Sequence, residues 1–155
     1  MPEVTVKWEG NMKFVGVDEA GRQVAMDASQ IYGGMNQGVR PMELLLMALG
    51  GCSGIELAHI LKKMRVQFDS LIIEVEGDRA EDHPKVFKTI RIVYKFTGSN
   101  LPPEKVSHAL KLTDEKYCSV SNMVAKAAAI SYAFELNGIR YEYPAREVQE
   151  VQKGA

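Results

Sequence analysis

The side chains with the most chemistry to offer in this chain are its two cysteines, Cys52 and Cys118, which stand 66 positions apart. A thiol attacks only as its thiolate, so each sulfur needs a cation or a helix start nearby; burial alone keeps the proton on. Cys52 follows Gly50-Gly51, which leave space in front of its sulfur, and Cys118 follows Lys116-Tyr117 and precedes an expected helix. Backbone N–H groups at that helix start favour an anion. Either thiol can attack on these grounds. The plainer alternative is two buried free thiols acting as small hydrophobes.

Helical geometry selects possible neighbours. At about 100° per residue, Glu56 and His59 fall within about 40° of Cys52, whereas Glu43 is displaced by about 180°. A Cys–His pair is a nucleophile with its base, although His59, two turns away, needs a bend or a water to reach. Equally, Glu56 and His59 mark where the helix turns amphipathic toward Lys62-Lys63. The cysteines with His59, His83 and His108 show neither finger-like nor H-E-x-x-H spacing, so no metal is expected. Gly33-Gly34-Met35-Asn36-Gln37-Gly38 runs into Val39-Arg40, which is not a phosphate loop. Met42, Met47, Met64 and Met123, among eight methionines, suit either an adaptable pocket or gap-filling core.

The elements that must position these residues can be read from periodicity. Residues 4–8, 12–17 and 23–27 read as a meander of three short strands with one face covered and one wet. Residues 28–40 carry three glycines without apolar periodicity and read as a loop. Pro41 suits the first turn of a helix over residues 42–65, about 37 Å long. Its middle is apolar all round, as in a helix buried on every side; Gly50 and Gly51 there suggest another backbone close by, or a kink or break. Strands over 66–76 and 85–97 flank a charged loop and should pair antiparallel. Asn100 is expected to cap a helix with Pro102 and Pro103 in its first turn, running through Leu112. A short helix over 119–129 precedes a hairpin of 131–136 and 139–143 with a type I′ turn at Asn137-Gly138. The order β-β-β-α-β-β-α-α-β-β, with grouped strands, argues for an α+β fold.

Composition sets the wider limits. The chain has 155 residues, 46% hydrophobic and 25% charged, which suits one soluble domain over 1–144 with a polar, frayed tail over 145–155. Nineteen Lys+Arg against 20 Asp+Glu leave a net charge of −1, so nucleic acid and membrane are not expected partners. The longest apolar stretch, 44–49, is far short of the roughly 20 residues that span a bilayer, and the first ten residues lack a leader. Cytoplasmic residence is expected, where thiols stay reduced.

Taken together, Pro41-Met42-Glu43-Leu44-Leu45-Leu46-Met47-Ala48-Leu49-Gly50-Gly51-Cys52-Ser53 and Lys116-Tyr117-Cys118-Ser119-Val120 resemble the two cysteine signatures of the OsmC/Ohr family. These are the osmotically inducible and organic hydroperoxide resistance proteins. The likeness spans roughly residues 4–136 and leans toward the functionally uncharacterised OsmC-like branch, whose first motif reads P-M-E followed by G-G-C. It implies a small α+β protomer with antiparallel sheets wrapped around a long buried central helix, interlocked with a second copy as a homodimer. It also implies a stress-related peroxidase: Cys52 attacks a small apolar hydroperoxide and becomes a sulfenic acid, Cys118 resolves it as a disulfide, and a dithiol reductant of lipoamide type reopens the bond. No metal, flavin or haem cofactor is implied. Active relatives place a Glu directly after the motif proline and an Arg from the N-terminal region beside the thiolate. Here Met42 follows Pro41 and the carboxylate comes one step later as Glu43, with Lys13, Arg22 and Arg40 as the available cations. The alternative implied by those departures is a non-catalytic dimer that binds a ligand or senses redox state.

Overall fold

A computed structural model describes residues 3–146, and the chain divides into two compact units, Met1–Leu45 and Leu46–Ala155, with the boundary inside helix α1 (Pro41–Lys63). In the first unit, β1 (Val4–Trp8), β2 (Phe14–Asp18) and β3 (Gln23–Met26) form an antiparallel meander in that order. Gly10 and Asn11 turn between β1 and β2 with φ of 97° and 49°, values that a glycine and an asparagine tolerate best. Asp18 closes the next turn, accepting from the backbone N–H of Ala20 at 3.0 Å and of Arg22 at 2.9 Å.

Contrary to the one-wet-face expectation, β1 is exposed along its whole length, with Val4, Val6 and Trp8 at 69%, 55% and 65%. The alternation of Val4, Val6 and Trp8 describes a face prepared for burial, and nothing within this unit buries it. The loop after β3 is tightly ordered. Buried Asp27 accepts backbone N–H bonds from Ala28 at 2.8 Å and from Met35 and Gln37 at 3.0 Å each. A Cβ on Gly34 would lie 1.9 Å from the Ala28 carbonyl oxygen, and one on Gly38 2.6 Å from the Ala25 backbone, so these glycines permit close backbone packing.

Helix α1 is continuous, so Gly50 and Gly51 do not break it. It ends two residues earlier than expected because Arg65 adopts the left-handed conformation at φ 57°, with Val66 N–H bonded to the Leu61 carbonyl at 2.9 Å and Arg65 N–H to that of Lys62 at 3.1 Å. By length and composition the helix could cross a membrane, although the apolar stretch 44–49 alone is too short. Its buried residues Leu49, Gly50, Ser53, Leu57, Ile60 and Leu61 fall at the spacing of one helix face, the signature of a core helix packed on a sheet. The opposite face is open: Met47 is 54% and Ile55 71% exposed. The expectation of burial on every side is therefore met by half the circumference within this chain.

In the second unit β4 (Ser70–Arg79), β5 (Phe87–Thr97), β6 (Ala129–Leu136) and β7 (Ile139–Arg146) form one sheet in that order. The β4–β5 pair is antiparallel as expected, and the β6–β7 hairpin turns at Asn137 (φ 50°) and Gly138 (φ 83°), as a type I′ turn requires. Strand β7 runs to Arg146, into the segment expected to be tail; the rest of that tail lies outside the described residues. β5 and β6 run parallel, so the chain must cross back over the sheet between them. The crossing consists of α2 (Pro103–Leu112), a π turn (Thr113–Tyr117) and α3 (Ser119–Val124). Pro102, without a side-chain cap, precedes α2, so Asn100 does not cap it, and α3 stops short of Ala129, which opens β6.

Candidate functional site

Both cysteines belong to the second unit, on elements that cover the same sheet. A Cβ added to Gly54 would lie 2.6 Å from Ile73 Cδ1, and one on Gly50 3.1 Å from Val75 Cγ2. The absence of side chains at these two positions, one turn apart, lets α1 settle onto β4. The close approach expected at Gly50 is to a side chain, and at Gly51 there is open space. Ser53, buried between these glycines, donates its hydroxyl to the Gly50 carbonyl at 3.2 Å. Cys52, next to it, is half-buried.

Cys118 arrives from the crossing segment and is fully buried. Its backbone N–H closes the π turn onto the Thr113 carbonyl at 2.8 Å, a five-residue bond that inserts one extra residue before the sulfur. Its carbonyl accepts from Ser121 Oγ at 3.1 Å and Asn122 Nδ2 at 2.9 Å, and its Sγ accepts from the Ser121 N–H at 3.4 Å. The bond expected from the start of the following helix is therefore present. Burial nevertheless outweighs it: the Cys118 thiol is pushed above its ordinary 9.0, chiefly by desolvation, with the hydrogen bond to Cys52 acting in the same direction. Two sulfurs far apart in the chain thus lie close enough to act on one another.

Beneath them lie groups that periodicity did not single out as functional. Tyr94 on β5 is the register partner of Ile73, shares its face, and is fully buried. Its hydroxyl makes no hydrogen bond of acceptable geometry among the described residues. Desolvation drives its pKa far upward; the Ser53 hydroxyl acts on it in the opposite sense, and Cys118, Asp114 and Cys52 add to the rise. Asp114, in the π turn and buried, accepts a short hydrogen bond from the Tyr132 hydroxyl on β6. The available signal was the alternation of β5 and β6, which turns both tyrosines inward, where a hydroxyl requires a partner.

The other expected residues lie elsewhere. Glu56 and His59 line a cavity of about 340 Å³ with Ile60, Lys63, Leu112 and Tyr117, and no hydrogen bond joins either to Cys52 among the described residues. Glu43, in the first unit, is exposed and accepts the Arg40 N–H at 3.2 Å, the return arm of a capping box at the start of α1. Lys13 pairs with Glu9 at 3.5 Å and Arg22 with Asp18 at 2.6 Å. Arg40 Nη1 donates to the carbonyls of Asp27 at 3.3 Å and Gly38 at 2.9 Å, and its Nη2 to Asn36 Oδ1. Each candidate cation is engaged with its own segment.

The chain is similar to Protein YhfA of Escherichia coli strain K12, with 34% identity over 134 residues, 86% of this chain and 97% of the relative. A crystal structure of a hypothetical protein from Aquifex aeolicus VF5 superposes with a TM-score of 0.77 at 33% identity, covering 88% of this chain and 96% of that one. An organic hydroperoxide resistance protein, OsmC, from Legionella pneumophila shares the fold at a TM-score of 0.66 and 13% identity, covering 86% and 96%. Residues 34–133 match the OsmC-like protein family, and the chain therefore belongs to that family.

Proposed function

We propose that this protein is a thiol-dependent peroxidase that reduces organic hydroperoxides. The observation that carries the reading is the proximity of Cys52 and Cys118, which brings two thiols 66 positions apart close enough to act on one another. Cys52, half-buried, is the sulfur a substrate can reach; Cys118, fully buried, is not. The Cys52 thiolate attacks one peroxide oxygen, the O–O bond breaks, and its electron pair leaves with the alkoxide, which takes up a proton. Sulfur is oxidised by two electrons to the sulfenic acid and the hydroperoxide is reduced to the alcohol. Cys118 then attacks the sulfenic sulfur, and the proton that burial keeps on Cys118 departs with the hydroxyl as water. A dithiol of lipoamide type exchanges with the resulting disulfide and restores both thiols.

Family membership and the hydroperoxide resistance protein among the similar folds support the reading. Glu43 enters on the resemblance alone, as a carboxylate that helps activate the thiolate. Glu43→Gln tests it well, because a glutamine at that position still accepts the Arg40 N–H, so a fall in rate would report the charge and not the cap. A homodimer is part of the proposal: exposed Val4, Val6 and Trp8 in one unit and Met47, Ile55 and Met123 in the other are apolar surface that a second copy would cover. Cytoplasmic residence is part of the proposal, because regenerating two thiols in each cycle suits a reducing compartment.

The decisive experiment follows cumene hydroperoxide consumption with a dithiol reductant. Cys52→Ser should abolish turnover, and Cys118→Ser should leave a sulfenic acid that over-oxidises. Full turnover in Cys52→Ser would end the proposal. A second reading, a non-catalytic dimer that binds a ligand or senses redox state, is favoured by the local engagement of Lys13, Arg22 and Arg40. Counting free thiols after excess hydroperoxide separates the two: rapid loss of both supports catalysis, indifference supports the second reading.

A further inference from the structure

A buried hydroxyl without a partner is rare in folded proteins, and a redox or catalytic role is one of the explanations for it. Tyr94 is such a group at the cysteine pair. Its cross-strand partner Ile73 touches α1 at Gly54, so the Tyr94 ring lies under the adjoining turn that carries Cys52 and Ser53. Ser53 is committed to the Gly50 carbonyl and Cys118 Sγ to the Ser121 N–H. In the reduced protein the Tyr94 O–H makes no hydrogen bond among the described residues, although the Ser53 hydroxyl, both cysteines and Asp114 all act on it. Oxidation introduces a stronger acceptor than the serine hydroxyl or a thiol: an oxygen atom bonded to sulfur.

We propose that the Tyr94 hydroxyl is a preorganised hydrogen-bond donor for the oxygen that Cys52 acquires when it is oxidised. A donor idle in the resting state and engaged once sulfur carries oxygen stabilises the oxidised cysteine without tightening substrate binding. Burial keeps the phenol protonated, so Tyr94 donates and does not compete as a base. The role rests on the peroxidase reading for its place in a cycle. The donor itself can be tested separately.

Cys118→Ser removes the resolving thiol, so the sulfenic acid ends by over-oxidation and not as a disulfide. Hydrogen peroxide in excess forms that acid on an accessible thiolate whether or not organic hydroperoxides are turned over, and dimedone trapping followed by mass spectrometry reads its lifetime. Adding Tyr94→Phe, which removes only the hydroxyl, should shorten the lifetime about tenfold, the scale of one hydrogen bond to a charged or strongly polar oxygen. Lifetimes equal within about twofold would overturn the proposal. The reduced Tyr94→Phe protein should melt at or above the wild-type temperature, since the hydroxyl has no partner to lose. If the variant does not fold, ¹³Cζ-tyrosine labelling of Cys118→Ser gives the answer: one buried resonance should shift on oxidation, and none shifting would refute the donor. Wild-type protein that leaves cumene hydroperoxide untouched while the lifetime difference persists would overturn the peroxidase reading and keep the donor. Turnover with equal lifetimes would do the reverse.

Discussion

Asp27 shows what one side chain can organise. Backbone N–H groups, that of Gln37 foremost, hold its carboxyl below the ordinary 3.8, with those of Met35 and Ala28 and the Arg40 charge acting in the same sense. A carboxyl whose folded pKa is depressed contributes stability that is present above its unfolded value and is lost as pH falls through the folded one. Asp27→Asn should therefore lower stability at pH 7 and show a shallower loss than wild type below about pH 4, measured by urea unfolding across that range. The glycines of α1 give a second contrast. Gly54→Ala should destabilise by about 1–3 kcal/mol, because its new methyl meets Ile73 at 2.6 Å. Gly51→Ala should gain up to about 1 kcal/mol in an isolated protomer, having nothing within 4 Å; thermal melts at low and high protein concentration would show whether a second copy reverses that gain. The sequence made Cys52, Cys118 and the Gly-Gly pair visible as chemistry, but assigned the close approach to Gly50-Gly51 when the tighter contact is at Gly54. Spacing along one helix does not reveal which strand lies under it.

At the scale of elements, the open face of α1 is the feature with the clearest consequence. Its apolar circumference was legible as burial on every side, yet this chain covers only the face containing Leu49, Leu57, Ile60 and Leu61. Hydropathy records that a residue is prepared for burial and not which molecule supplies the cover. Ile55→Lys, at a position 71% exposed, should leave the protomer folded and shift the protein toward monomer in light scattering, with little change in circular dichroism. The same blindness explains β1, whose alternation was read as one covered face. The type I′ hairpin at Asn137-Gly138 and the antiparallel β4–β5 pair were legible because both are fixed locally, by left-handed residues and by a short charged loop. The parallel β5–β6 pairing was not, since no neighbouring residue encodes it.

For the molecule as a whole, buried hydroxyl and thiol groups set an alkaline limit. Tyr94 and Cys118 both have folded pKa values raised by burial above their ordinary 10.0 and 9.0. The unfolded chain releases those protons first, so their contribution is full below about pH 9 and declines as pH rises toward the folded values. Unfolding free energy should fall above about pH 9–10, and Tyr94→Phe should flatten that limb, as guanidinium titrations between pH 8 and 11 would show. Buried sulfur and phenol ionisation, and not the exposed Lys95–Glu74 and Arg140–Glu142 pairs on the sheet, would then govern alkaline stability.

The π turn before Cys118 carries one more residue than an α-helical return would need. Deleting a single residue between Thr113 and Tyr117 would let the backbone relax into ordinary helical winding and turn the Cys118 side chain by about 100° about the helix axis. The sulfur would be re-aimed while every strand kept its place. A one-residue miscount in this stretch should thus produce a folded protein with both thiols present and no ability to join them.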